Sequence, residues 1–348
     1  MDKEIYNVKV VKFGGSSLAD AEQFKKVGSI IKSDTSRRFV VPSAPGKRFS
    51  GDTKVTDMLY SCYNTAQNGG DFDSVFAMVK YRFDSIIAGL GLSLDLSAEY
   101  EHIKWAILHH AGRDYAASRG EYLNGMILAE YLGYDFIDPA DYIKFCDDGS
   151  FDAETTNGIL SEEMKKHENG VIPGFYGSHP NGTIRTFSRG GSDITGSIVA
   201  RAVYADLYEN WTDVNGFLMA DPRIVPGAKT IKYITYRELR ELSYMGATVL
   251  HEDAIFPVRF AGIPVNIRNT NDVSDSGTMI VSHTDSYDSD DIITGVAGKK
   301  GFCVITIEKA LMNSEKGFGR KVLEAIEKEN LSFEHLPSGI DTMSVILN

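Results

Sequence analysis

The chain has 348 residues, 43% of them hydrophobic, and a formal net charge of −12. That length accommodates about two domains with a buried core, and the acidic balance, with no local basic patch, excludes a nucleic-acid-binding surface. No run of about 18 apolar residues occurs, which excludes a membrane-spanning helix, and the widely separated Cys62, Cys146 and Cys303 form neither a disulfide framework nor a zinc spacing. The N-terminus enters a strand-like segment without an apolar signal region, so a soluble, cytoplasmic protein is expected.

Residues 8–13 (VKVVKF) are apolar and β-branched, as in a buried strand. Gly14-Gly15-Ser16-Ser17 follows, and then a helix with Asp20 and Gln23 in a capping-box-like start and Phe24, Val27 and Ile31 on its buried stripe. This is either a tight strand–helix turn or an anion site with Lys12 on the strand, because a helix start presents unpaired N–H groups. It is not a Walker A loop, since no Gly-Lys-Ser/Thr follows. Residues 38–41 read as the next strand, broken by Pro42. The loop from Ser43 to Lys54 is polar and Gly/Pro-punctuated, a position for substrate contacts or a plain connection, and Thr56-Asp57 open another helical pattern.

Residues 71–118 are helical in pattern, with Val75, Met78, Val79, Phe83 and Ile86 on one face and Tyr100, Ile103, Trp105, Ile107 and Leu108 contributing to the next. They read as a helical insertion or lid. Glu121, in Ser118-Arg119-Gly120-Glu121, precedes a further helix over 122–132; it serves either the helix dipole or a ligand ammonium. Short strands at 134–137, 171–176, 183–187 and 205–211 alternate with helical stretches, which argues for a mainly parallel sheet covered on both faces.

Arg189-Gly190-Gly191-Ser192-Asp193 repeats the first device: strand, glycine pair, helix start. It reads as a turn with an Asp N-cap or as an anion site in which Arg189 offers a planar fork and Asp193 a carboxylate for a cationic group. Thr212, Asp213 and Arg223 follow a strand and an Asp-Pro turn; they form a structured loop or contact a nucleotide. Helices are expected near 238–244 and 246–261, with His251 serving packing rather than catalysis, and strands at 264–267 and 278–281. Residues 282–291 are polar and acidic, the best linker in the chain. Beyond it a strand is expected at 292–297, and strands at 302–307, 331–336 and 342–347 with a helix over 314–329 give β-α-β-β, much of a ferredoxin-like unit.

The ordered set KFGGSS, SRGE, RGGSD, WTDV and DPR over roughly the first 280 residues resembles the aspartate kinases, and the tail resembles an ACT regulatory module. The resemblance implies the α/β amino-acid-kinase fold, a three-layer α/β/α sandwich with a mainly parallel central sheet, over 1–282 (helical insertion at about 71–132). A linker at 283–291 and a partial, small α+β ACT-like region at 292–348 would follow; family members usually carry two ACT units, and the tail corresponds to part of the first. It further implies ATP with Mg²⁺ and L-aspartate as substrates, 4-phospho-L-aspartate as product, the entry to lysine, threonine and methionine synthesis, lysine or threonine as effector, and a homo-oligomer. On matching letters, Arg189 would grip the substrate α-carboxylate, Glu121 and Asp193 its ammonium, and Ser43 and Thr56 would line its pocket. Lys12 with Gly14, Gly15 and Ser16 would cradle the transferred phosphoryl group, Lys12 and Asp193 being the catalytic pair. Gly190, Gly191, Ser192, Thr212, Asp213 and Arg223 would hold the nucleotide; no residue is assigned to the metal. The chain departs from the family pattern at Leu218, where some relatives have a nucleotide-contacting tyrosine, and at Thr248, where many have a lysine. The alternatives are a kinase of the same fold with another acidic substrate and a catalytically impaired, ACT-bearing amino-acid-binding protein.

Overall fold

Because side chains alternate along a strand, strand β1 (Lys9–Phe13) directs Val10 into one apolar cluster and Val11 and Phe13 into another. The sheet it founds is therefore covered on both faces. The computed structural model describes residues 8–188, 190–246, 252–283 and 292–348. It divides into two compact units, Met1–Val296 and Ala297–Asn348.

After β1 comes a short 3-10 turn, Gly15–Leu18, and then α1 (Ala21–Lys32). Asp20 caps α1 by accepting the Gln23 N–H at 2.9 Å, but the Gln23 Oε1 is buried without a partner, so only half of the expected capping box forms. In β2 (Arg37–Pro42) the proline is the last strand residue, paired with Phe13, rather than a break before it. Four helices follow: α2 (Val55–Asn68), α3 (Phe72–Leu90), α4 (Ser97–Leu108) and α5 (Arg113–Leu132). Their buried side chains, among them Val79, Phe83, Tyr100, Ile103 and Ile127, join Val11, Phe13 and Trp211 in one cluster. Three expected contributors do not: Met78, Trp105 and Leu108 face solvent, since Phe76, Ala106 and Ile107 occupy the buried positions beside them.

Strand β3 (Asp135–Phe136), α6 (Pro139–Tyr142), α7 (Ala153–Met164) and β4 (Gly170–Val171) lead to β5 (Tyr176–Ser178) and β6 (Ile184–Thr186). The single strand expected over 171–176 is thus split. Pro173-Gly174 interrupts it, and β5 pairs antiparallel with β6 outside the main sheet. Then come α8 (Gly191–Ala202), β7 (Leu207–Thr212), β8 (Tyr233–Thr235), α9 (Tyr236–Tyr244), α10 (Phe256–Ala261), β9 (Val265–Asn269) and β10 (Thr278–Val281). Of the helix expected over 246–261, the described part is a 3-10 turn, Glu252–Ile255, running into α10; Thr248 and His251 lie outside the described residues. Buried residues of α7, α8, α9 and α10 pack on the sheet face opposite α1–α5.

Among the described residues the main sheet has the order β3-β4-β2-β1-β7-β9-β10-β8, parallel except at the β9–β10 pair. This is the expected three-layer sandwich. From β1 the chain passes to β2 on one side, and from β7 it passes to β8, β9 and β10 on the other, which makes the C-terminal ends of the β1–β7 pair the topological switch point. On the α1 side of that pair, Arg37 meets Glu209 at 2.8 Å, and the Trp211 indole N–H donates to the same carboxylate at 2.8 Å.

The second unit holds β11 (Cys303–Glu308), α11 (Phe318–Lys328) and β12 (Thr342–Leu347), the strands pairing antiparallel. Two expected strands are corrected. Residues 292–297 are irregular, and 331–336 make only an isolated bridge, His335↔Ile346; a second isolated bridge, Ser338↔Met343, follows Pro337, which has no N–H to give a continuous ladder. Most of the expected linker, 284–291, lies outside the described residues. Among the described residues no helix is long and apolar enough to cross a membrane.

Removing one partner of a buried ion pair strands the other charge. Glu209→Ala, which leaves the Arg37 guanidinium unpaired at a side-chain exposure of 6%, is expected to lower stability by about 3–5 kcal/mol in urea unfolding. A loss below about 1 kcal/mol would mean that Arg37 finds water or another acceptor.

Candidate active site

Four connections leave the C-terminal edge of the sheet near the switch point, and their sequences explain how closely they meet. Gly14–Ser17 follows β1, Ser43–Gly46 follows β2, Pro173–Phe175 follows β4, and Asp213 follows β7. The Gly14 N–H donates to the Trp211 carbonyl at 3.0 Å and the Gly46 N–H to the Gly15 carbonyl at 2.8 Å. A Cβ on Gly46 would lie 2.6 Å from the Gly15 carbonyl carbon, and one on Gly15 would lie 2.7 Å from the Ala44 oxygen. Only two glycines permit that backbone contact.

Lys12 and Asn210 are register partners on β1 and β7, so their side chains leave the same face of the sheet. The Lys12 ammonium, 8% exposed as a residue, lies 2.7 Å from Asp193 Oδ1 and 3.4 Å from Asn210 Oδ1. Asn210 in turn donates to Asp193 Oδ1 at 2.8 Å. A Cβ on Gly14 would sit 3.7 Å from the Lys12 Nζ, which puts the cation beside the glycine turn. Asp193 stands in the first turn of α8, whose N-cap, Gly190, is left-handed (φ 56°) and leaves the turn without a side-chain cap. Aspartates do cap α1, α3 and α7. The first-turn N–H groups of α8 are thus without the side-chain acceptor found at the starts of α1, α3 and α7. Asp193 is not the N-cap; it faces Lys12.

The wall opposite is α5. Gly120 lets this helix approach the loop after β2 so closely that a Cβ there would lie 2.8 Å from the Ala44 Cβ. Asn124 donates to the Ser43 carbonyl at 2.7 Å, and Glu121 accepts the Ala44 N–H. A donor, Asn124, and an acceptor, Glu121, on consecutive turns therefore grip one peptide group from both ends. Glu121 lies two turns inside α5, not at its start, so the helix-dipole reading is set aside. Its carboxyl is buried, Oε2 has no partner, and burial pushes its pKa up to about 8, against small opposing effects of the Ala44 N–H and Arg119. The Arg119 guanidinium is engaged elsewhere, on Ser118 Oγ and among the rings of Tyr115, Tyr122 and Tyr176.

Ser43 and Thr56 flank this wall; Thr56 is the second residue of α2, and the neighbouring Val55 N–H donates to the Pro45 carbonyl at 3.1 Å. Ser16 belongs to the glycine turn, and Gly191 and Ser192 are buried in the first turn of α8. Thr212 ends β7 and donates to Asp213 at 3.3 Å. Arg223 is not brought to this cluster: its exposed guanidinium pairs with Asp221 at 2.7 Å within its own loop. Leu218 bridges Thr230 in the same connection. Arg189 lies outside the described residues. Sequence reasoning missed Asn210, Asn124 and Gly46. Asn210 was detectable in principle, because Glu209-Asn210 inside a buried strand must send one polar group to each face.

The amino acid kinase family profile matches residues 7–269. Aspartokinase 3 of Bacillus subtilis is 41% identical over 98% of this chain and 78% of its own length. The chloroplastic aspartokinase 1 of Arabidopsis thaliana is 28% identical over 97% of this chain and 63% of its own, so the chain spans less than two thirds of that relative. Among solved structures, the aspartate kinase of Clostridium acetobutylicum superposes with a TM-score of 0.88 at 54% identity, covering 98% of this chain and 78% of that one.

Glu121 also yields a pH dependence. Its folded pKa of about 8 lies above the value of 4.5 expected of an exposed glutamate, so the folded chain keeps a proton that the unfolded chain releases. The resulting stabilisation is complete below the unfolded value and is lost as pH rises through the folded one. The unfolding midpoint of the unliganded protein, referenced to Glu121→Gln, is expected to fall between pH 5 and 8 and level off above. A flat difference would show an ionised carboxylate in the folded chain.

Proposed function

We propose the following division of labour from the premise that this chain belongs to the amino acid kinase family and, within it, to the ATP-dependent aspartate kinases. The reaction transfers the ATP γ-phosphoryl group to the side-chain carboxylate of L-aspartate, giving 4-phospho-L-aspartate. That carboxylate, with an unperturbed pKa near 3.9, is already ionised at neutral pH. No general base is required. The obstacle is repulsion between an anionic nucleophile and an anionic phosphoryl group, roughly 4 kcal/mol per unit-charge pair at 4 Å and an effective dielectric of 20.

The observation that carries the reading is the buried Lys12 ammonium, held by Asp193 at 2.7 Å beside the glycine turn. A cation fixed there neutralises developing charge without reorganising during the reaction. The N–H groups of the Gly14–Ser16 turn and of Gly190–Ser192 add oriented dipoles. Glu121, with its unpartnered Oε2, and Asp193, whose bonds from Lys12 and Asn210 both fall on Oδ1, suit the substrate ammonium; binding a cation would ionise Glu121. Ser43 and Thr56 supply hydroxyls to the same pocket. Arg189 takes the α-carboxylate, and Thr212, Asp213 and Arg223 the nucleotide, on the resemblance of their motifs.

Mg²⁺ arrives with the nucleotide in this reading. Such an ion keeps several waters and takes only one or two carboxylates beside the phosphates. Among the described residues no cluster of three His, Cys, Asp or Glu forms an all-protein cage. When bound, the ion neutralises the phosphate oxygens. A homo-oligomer is supported by the exposed Val304 and Ile305 on β11, and lysine or threonine as effector rests on the resemblance of the tail to an ACT module. A cytosolic setting is supported by the free Cys62, Cys146 and Cys303.

The assay traps the acyl phosphate with hydroxylamine. Lys12→Ala is expected to lower kcat at least about 100-fold with much less effect on ATP binding; turnover within a few-fold of the unmodified enzyme would remove Lys12 from the mechanism. Arg189→Ala should chiefly raise the KM for aspartate, whereas a rise for ATP alone would assign that arginine to the nucleotide.

A further inference from the structure

We propose that Arg82, in the interior of α3, is a positioning residue for this reaction: one buried guanidinium sets the loop that leads from Ser43 to Thr56 against the glycine turn after β1. The inference rests on the reading of the site given above and adds a residue outside it.

Arg82 is 1% exposed. Its Nη1 donates to the Gly46 carbonyl at 2.9 Å, and its Nη2 donates to Asp52 Oδ2 at 2.7 Å and to the Thr53 carbonyl at 3.2 Å. Gly46 and Thr53 are the two ends of the excursion 46–53, so the guanidinium closes that loop at its base. Asp52 holds the interior: it accepts the Arg48 backbone N–H at 3.0 Å and the Arg48 side chain at 2.8 and 3.0 Å. Three acceptors shared between two separate guanidinium nitrogens suit the fork of an arginine and not the single nitrogen of a lysine ammonium.

Gly46 passes this constraint on in two directions. Its N–H donates to the Gly15 carbonyl at 2.8 Å, and a Cβ on it would lie 2.8 Å from the Ser16 nitrogen. The main chain at Gly46 therefore bears directly on the peptide that carries one of the phosphate-facing N–H groups. Upstream, the same short segment holds Ser43 and Ala44, gripped by Asn124 and Glu121; downstream, the Pro45 carbonyl accepts the N–H of Val55, next to Thr56. Displacing Gly46 would shift the acid pocket and the phosphate turn together, and misplacement of about 1 Å at reacting groups lowers rates on the order of 100-fold.

The test is steady-state kinetics on the full chain for Arg82→Lys, Arg82→Met and Asp52→Asn, each at a temperature below its measured unfolding midpoint. Arg82→Lys is expected to raise the KM for aspartate and for ATP together, by about 5-fold or more each, and to lower kcat about 10-fold. Adding Asp52→Asn to it should have less than the product of the separate effects, since both act on one loop. Should Arg82→Met fail to fold, Arg82→Lys and Asp52→Asn decide. A lowered midpoint with both KM values within about 2-fold of the unmodified enzyme would make Arg82 a buried structural arginine and overturn the inference. Lys12→Ala, run alongside, separates the two levels. If it abolishes turnover while Arg82→Lys leaves the KM values alone, only this inference fails; if it too is active, the reading of the site fails first.

Discussion

A lysine ammonium buried where the strand order reverses is the constraint from which the rest of the site follows. Strands β1 and β7 are neighbours, yet the chain leaves them toward opposite sides of the sheet, so a crevice opens between their connections. Lys12 comes up at its floor. An isolated ammonium removed from water is strongly disfavoured, and Asp193 and Asn210 offset this by holding the cation in one position. Position and charge thus depend on strand register, since a slip of one residue would turn Lys12 to the other face.

That other face has its own ion pair. Glu209 precedes Asn210 and points away from it, meeting Arg37 and the Trp211 indole among the α1–α5 side chains. Two consecutive polar residues in a buried strand therefore serve opposite layers: one anchors β7 to β2, the other orients the reactive lysine. The two layers meet through a few backbone atoms. Gly15 against Gly46 and Gly120 against Ala44 bring a turn, a loop and a helix together without intervening side chains, which leaves main-chain donors as the walls of the crevice. Such donors are fixed by the fold before any ligand arrives.

The acid side of the site carries visible strain of a chemical kind. Glu121 and Asn124 each hold one end of the same peptide group, and each retains an unpartnered buried oxygen. An unsatisfied acceptor lowers stability, and a carboxyl kept protonated by burial is ready to ionise when a cation enters. Stability is lower here than a fully satisfied core would provide, in a place where a ligand ammonium would complete the bonding.

Much of this was legible without coordinates. Strand-turn-helix units at Lys12–Ser17 and around Gly190, the alternation of strands and helices, and the chemistry of Lys12, Glu121 and Asp193 are local properties, written in residue type and short spacing. Local pattern erred where long-range pairing decides. It joined 171–176 into one strand across Pro173-Gly174, credited Trp105 and Met78 to the core, and drew strands at 292–297 and 331–336 that find no continuous partner. It also set Glu121 at a helix start that lies two turns earlier. By itself the sequence determined which residues carry charge, which segments alternate and where glycine frees the backbone. Only the tertiary structure decided that Asn210 stands beside Lys12, that Arg223 turns to Asp221, and that Arg82, thirty-six residues from Gly46, closes its loop. Those pairings join groups far apart in the chain, and no short-range periodicity encodes the register or crossing that brings them together.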